Sequence, residues 1–238
     1  MTIQHLASLC TLALIAAAVA IGVGLRRKGI DDRPLRLSAI AVAIPSWLFM
    51  QVWYAVYAWD PVDAAPLHIC DLGGIVAMFV LYSRGGGRLR WWRAVLFFWA
   101  IGLTTQAFAT PVLTAEQGPG TMKFWLFWLS HGFVVGTAIY DLIVLGYRPT
   151  RRDLGRAVVV TAIWLATVFT LNAVMGWNYG YVGPIEDQPG VVALLGPWPR
   201  RVLWMMLIVL AGFVALWAVA SRLPGGENGV GNHPPSRG

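Results

Sequence analysis

The sequence predicts an all-α polytopic membrane protein with seven transmembrane helices, and three observations carry that prediction. Of the 238 residues, 58% are hydrophobic and only 12% charged, whereas an ordinary soluble domain is about 45–50% apolar and 25% charged. The apolar residues fall into seven runs near the length, about 20 residues, that a helix needs to cross the hydrocarbon core. Lys and Arg collect in the gaps between those runs, where a bilayer tolerates them. The strict alternation of barrel strands is absent, so each run is expected to satisfy its own backbone as a helix.

The first run, 6–25, carries the small-x-small triplet Ala18-Val19-Ala20, but Met1 to His5 hold no Lys or Arg and the basic cluster follows the run. That is the reverse of a secretory signal, so the run is expected to remain as a span. The other spans are expected at 35–58, 67–83, 91–110, 123–146, 155–175 and 201–221. The third is the shortest and has charged flanks on both sides. Together they make one transmembrane domain, 1–222. Residues 223–238 are rich in Gly, Pro and Asn and hold too little apolar surface to order themselves, which predicts a disordered cytoplasmic tail. No internal repeat is visible, so nothing supports an inverted-repeat transporter.

Orientation follows from the basic residues. One set of gaps holds 15 of them, in the clusters around Arg26–Arg36, Arg84–Arg93 and Arg148–Arg156 and in Arg222 and Arg237. The other set holds three, Lys123, Arg200 and Arg201. Positive residues stay inside, so the N-terminus is expected outside, the C-terminus in the cytoplasm, and the protein in the cell membrane. The net charge of +7 does not point to nucleic acid, because that function needs its basic residues on one folded surface.

Polar residues can be placed by depth at 1.5 Å rise per residue. The third run opens from outside with Pro66-Leu67-His68-Ile69-Cys70-Asp71. An ionisable side chain within a span costs about 2.5–3.5 kcal/mol at the centre, which makes His68 and Asp71 functional candidates by default. Gln106 of the fourth run, His131 of the fifth, Asn172 of the sixth and Asn178 and Tyr179 just beyond it are expected at a comparable level. The inner ends show nothing comparable. Asp141 lies about 15 Å below His131 on the same helix and is expected to be a packing carboxylate near the arginines of 148–156. Asp71 needs a cation, for which His68 and His131 are the expected imidazoliums.

Three chemistries fit these residue types. Cys70 can be a nucleophile, with His131 or His68 as base, Asp71 orienting the histidine, and Gln106, Asn172, Asn178 or Tyr179 at the substrate or its oxyanion. An acyl thioester would then form at the depth of a lipid ester. His68, Cys70, Asp71 and His131 can instead be read as ligands of a hydrolytic metal, but H-x-C-D matches no strong zinc signature and no metal or other cofactor is expected. The third reading is the ligand pocket of a receptor or transporter. A retinal-type Schiff base is excluded, because the only lysines are Lys28 and Lys123. Cys10, at a depth similar to Cys70, leaves a disulfide open as the rival role for that thiol.

Several stretches resemble the YwaF-like family of bacterial integral membrane proteins. They are Pro66 to Asp71, Gln106-Ala107 with Thr110-Pro111, Ser130-His131-Gly132, Asn172 with Asn178-Tyr179, and Gly196-Pro197-Trp198-Pro199. That family is similar to a eukaryotic transmembrane phospholipid acyltransferase that works through a cysteine. The resemblance implies Cys70 as nucleophile, His131 as its histidine, and membrane phospholipids or lysolipids as partners. It also implies that the Gly-Pro-Trp-Pro loop closes the outer face.

Overall fold

A computed structural model of the protein describes residues 2–57, 59–83, 89–114, 116–186 and 190–223. All but the first residue of the expected tail, together with Arg84 and Arg88, lies outside the described residues. Among the described residues every regular element is helical. They are α1 (Ile3–Arg27), α2 (Arg33–Tyr57), α3 (Pro61–Ala64), α4 (Ile69–Ser83), α5 (Arg90–Trp99), a π-helical segment (Ala100–Thr104), α6 (Gln106–Ala109), α7 (Met122–Ile143), α8 (Arg151–Met175) and α9 (Arg200–Ala220). Single 3-10 turns lie at Tyr179–Tyr181 and Gly190–Leu195.

Six stretches are long and apolar enough to cross a membrane: Ile3–Arg27, Arg33–Tyr57, Pro61–Ser83, Met122–Ile143, Arg151–Met175 and Arg200–Ala220. The run expected at 91–110 differs, forming a broken rod of α5, the π segment and α6 rather than one long helix. Every residue from Arg93 to Ala100 is buried, so this stretch faces protein all round. The rod is packed by α4, α7 and α8, with α9 against its π segment. That segment closes Thr105 N–H onto the Ala100 carbonyl at 3.1 Å, one residue wider than an α turn. A Cβ on Gly102 would come 2.8 Å from the Phe213 ring of α9, so glycine is what lets α9 approach there.

Helix starts explain the shifted boundaries. α8 begins at Arg151, four residues earlier than the hydropathy suggested, because Thr150 and Asp153 form a reciprocal capping box that satisfies two orphan N–H groups. α7 is held against α1 by a Gly132-x-x-x-Gly136 face, where a Cβ on Gly132 would lie 2.7 Å from Thr11. Small residues at this spacing let membrane helices approach closely. The outward faces of α1, α2, α8 and α9 carry Leu14, Val56, Val174 and Val219, all exposed, as side chains bathed in lipid.

The two ends of the bundle differ. At one end Gln4 donates to the Gln117 carbonyl at 3.2 Å, Ser8 to Phe108 at 2.9 Å and Lys123 to Asp63 at 2.8 Å. At the other, Arg36 donates to the Leu81 carbonyl, Tyr140 to Asp32 at 2.9 Å and Arg90 to Asp153 at 2.7 Å. The rod 90–109 therefore runs from the arginine end to the Cys70 end, antiparallel to α4 and α7.

The arginine end corrects one expectation. The sequence suggested nothing there to match the Cys70 level, yet it holds a buried ionic network. Asp141 is a packing carboxylate as expected, but its partner is Arg93 of the rod rather than the 148–156 cluster. The Arg93 Nε donates to both Asp141 oxygens at 3.0 and 2.9 Å, with the side chains only 9% and 2% exposed. Arg93 also stacks over the Tyr147 ring at 4.8 Å. The pair was missed because Arg93 stands at the edge of an apolar run, 48 positions from Asp141.

Candidate functional site

The approach to Cys70 is built by a break in the chain. Asp60 caps α3 by accepting from Val62 N–H at 2.7 Å. Proline at the first helical position fits because it has no N–H to satisfy. The segment then turns extended, and α4 starts at Ile69. Three side chains pin that turn: Trp164 donates to the Leu67 carbonyl at 2.8 Å, Tyr179 to Pro61 at 2.8 Å and Trp47 to Asp71 at 3.3 Å. Cys70 is thus the second residue of a helix with a fixed start, where orphan N–H groups and the positive end of the dipole gather.

Asp71 is 7% exposed, and its carboxylate takes the Cys70 thiol at 3.9 Å. The expected imidazolium partner is not there: no ion pair to Asp71 occurs among the described residues. His68 packs its ring against Tyr179, centroids 5.0 Å apart. The ring of His131 lies against Phe127 at 4.1 Å, and its Nδ1 sits 2.7 Å from the Phe127 carbonyl. A carbonyl only accepts, so Nδ1 carries the proton and Nε2 is left as the basic nitrogen of the neutral ring. Neither imidazole lies within hydrogen-bond distance of the thiol, and His68, Cys70, Asp71 and His131 do not gather as a metal-ligating group among the described residues.

The polar residues expected at the substrate divide. Asn172, fully buried, gives both ends of its amide to the backbone of Tyr179, at 3.0 Å each. Asn178 accepts from Gly183 N–H at 3.0 Å. These two therefore shape the loop after α8 rather than face the thiol. Tyr179 is buried against 61–65, and burial together with the Asp60, Asp71 and Asp63 carboxylates pushes its phenol up to about 12. Gln106 is exposed at the start of α6. Cys10 and Cys70 are both free thiols, which removes the disulfide.

Further residues surround Cys70. Cys70 lines a crevice between α2, α4 and α7, walled by Met50, Gly74, Met78 and Ser130. The crevice holds about 30 Å³, about the share of one water in the liquid, and Leu129 at its rim is exposed on the outer face of α7. Outside it, Lys123 pairs with Asp63 and lies over the Tyr54 ring at 5.7 Å. Arg201, 1% exposed, donates to the Gly183 and Ile185 carbonyls, and Trp198 to Val182 at 3.1 Å. The loop beyond Gly176 is thereby tied down over the 61–67 segment. Their signal was weak in the sequence, since each contact joins positions far apart in the chain.

A bundle that is helical throughout its described residues, with six long apolar helices and exposed apolar faces, defines a multi-pass membrane protein. The chain belongs to the TMEM164 family, whose family model matches residues 1–217. No curated protein and no solved structure matches it.

Proposed function

We propose that the protein transfers acyl groups of membrane phospholipids through a thioester on Cys70, with hydrolysis as the same reaction when water is the acceptor. The observation that carries the reading is the thiol itself, set at the N-terminus of α4 between a buried carboxylate and an apolar crevice. The Cys70 sulfur passes its proton through one bridging water to the free Nε2 of His131, which lies beyond direct reach of the thiol, and attacks the ester carbonyl. The C–O bond breaks, and the lysolipid oxygen takes the proton back. An acceptor hydroxyl, from a lysolipid or water, then attacks the thioester, gives its proton to the same base and frees the thiol. The positive end of the α4 dipole lies at the head of the helix that carries Cys70 and favours the oxyanion as it develops. Asn172, Asn178 and Tyr179 act by holding the loop that covers the site.

The crevice is too narrow for an acyl chain as it stands. Met50 and Met78, unbranched and adaptable, give way so that the chain lies between α2 and α7. Proximity then replaces a bimolecular encounter. The bundle sits in the cell membrane with the rod 90–109 as a seventh crossing, the N-terminus outside and the arginine end in the cytoplasm. The bias of 15 basic residues against three supports that orientation.

The test uses purified protein and a phospholipid bearing an alkyne-tagged acyl chain. A hydroxylamine-labile adduct is expected on wild-type protein and on Cys10→Ala, and none on Cys70→Ala. His131→Gln should slow its formation about 10²–10⁴-fold. Equal labelling of Cys70→Ala would sink the acyl-enzyme.

A further inference from the structure

Arg36 is the most completely buried cation of the arginine end, 1% exposed on the first turn of α2. Its Nε meets the Asp32 carboxylate at 3.4 Å and its Nη1 donates to the Leu81 carbonyl. Its Nη2 has no partner among the described residues. A buried guanidinium donor left unmade is costly, and native proteins keep such a group where something else completes it. Asp32 does not balance the charge, because it is shared: Arg26 lies 3.4 Å from its other oxygen, which also accepts from the Tyr140 hydroxyl at 2.9 Å. Burial raises the Asp32 carboxyl, but the Tyr140 hydroxyl and the two guanidiniums outweigh it and hold it below its usual range. Two cations thus face one carboxylate.

Beside this group lies a cavity of about 220 Å³, lined by Arg33, Arg36, Tyr82 and Ser83. Arg33 is exposed and has no carboxylate within ion-pair distance among the described residues. Both arginines stand on the first turn of a 25-residue helix; the Asp31 carboxylate already accepts the Arg33 backbone N–H there at 2.9 Å, so the anion is held by the side chains. Tyr82, largely exposed, supplies the kind of amphipathic ring found at headgroup level. Arginine is suited to phosphate because its fork donates to two oxygens at once.

We infer that the cavity between the start of α2 and the end of α4 binds a phosphate group, completed by the unpartnered Arg36 Nη2 and by Arg33. This site lies at the opposite end of α4 from Cys70 and does not depend on the acyl-transfer reading. The source of the phosphate is a phospholipid headgroup or free phosphate, which the test separates.

Thermal unfolding of the full chain in a maltoside detergent is measured with added phosphatidylglycerol, with inorganic phosphate, and with diacylglycerol as the uncharged control. The expected result is a rise of several degrees with phosphatidylglycerol, at least halved in Arg33→Gln, and none with diacylglycerol. A rise with inorganic phosphate that also needs Arg33 supports the same site with free phosphate as its ligand. Arg33 is exposed, so its substitution leaves the fold intact. Arg36→Lys is the second variant, keeping the charge while removing the fork, and is expected to weaken the rise as well. Equal shifts in wild type and Arg33→Gln, or an equal rise with diacylglycerol, overturn the site.

Discussion

Asn172 illustrates how a residue can be at the predicted place with a different task. A buried amide at the outer end of a helix reads equally well as an oxyanion donor and as glue between segments. Its geometry with Tyr179 makes it glue, since oxygen and nitrogen are both engaged. Asn172→Ala leaves a buried N–H and a buried carbonyl without partners, at about 1–3 kcal/mol each. Thermal unfolding in detergent is expected to shift accordingly, with Asn172→Asp milder because it keeps the acceptor; an unchanged midpoint would contradict the clamp. Cys70, Asp71 and His131 were legible one by one, because ionisable and reactive groups stand out against apolar runs. Their pairing was not. Whether a carboxylate meets an imidazole depends on where α4 begins, and that start is pinned by Trp47, Trp164 and Tyr179, contributed from 24 to 118 positions away.

At the scale of the element, the rod 90–109 departs most from its sequence. Hydropathy detects its apolar content, but cannot report that Arg93–Ala100 is buried within the bundle or that the chain passes through a π segment at Ala100–Thr104. Its anchor is the Arg93–Asp141 pair, buried on both partners. Removing one member strands the other charge, and either Arg93→Met or Asp141→Leu alone is expected to cost about 3–5 kcal/mol. The double variant replaces both by apolar volume and is expected to recover most of the loss. Unfolding midpoints of the three variants decide this, and a double variant no better than the singles would show that the pair is not acting as a unit. The capping box at Thr150 and Asp153 was within reach of the sequence, since it needs only a three-residue spacing; the hydropathy window simply begins after it.

For the whole molecule, the segregation of basic residues predicts topology more directly than any contact. A reporter enzyme active only outside the cytoplasm is expected to work when fused within 111–121 and to fail when fused after 223. The reverse pattern would invert the bundle in the membrane and put Cys70 in the other leaflet. The helical class and six of the spans were legible because membrane insertion is governed by local apolar content. The order of packing was not, because burial of the rod depends on partners from both halves of the chain. That dependence also reaches into synthesis. Arg93 emerges from the ribosome 48 residues ahead of its counter-ion Asp141, so the rod cannot complete its burial when it is made. It must be held at the translocon or the membrane surface until α7 arrives. Nascent chains stopped before residue 141 are expected to leave 90–109 open to crosslinking, and longer ones to close it. The assembly order of this bundle therefore differs from the order of its sequence.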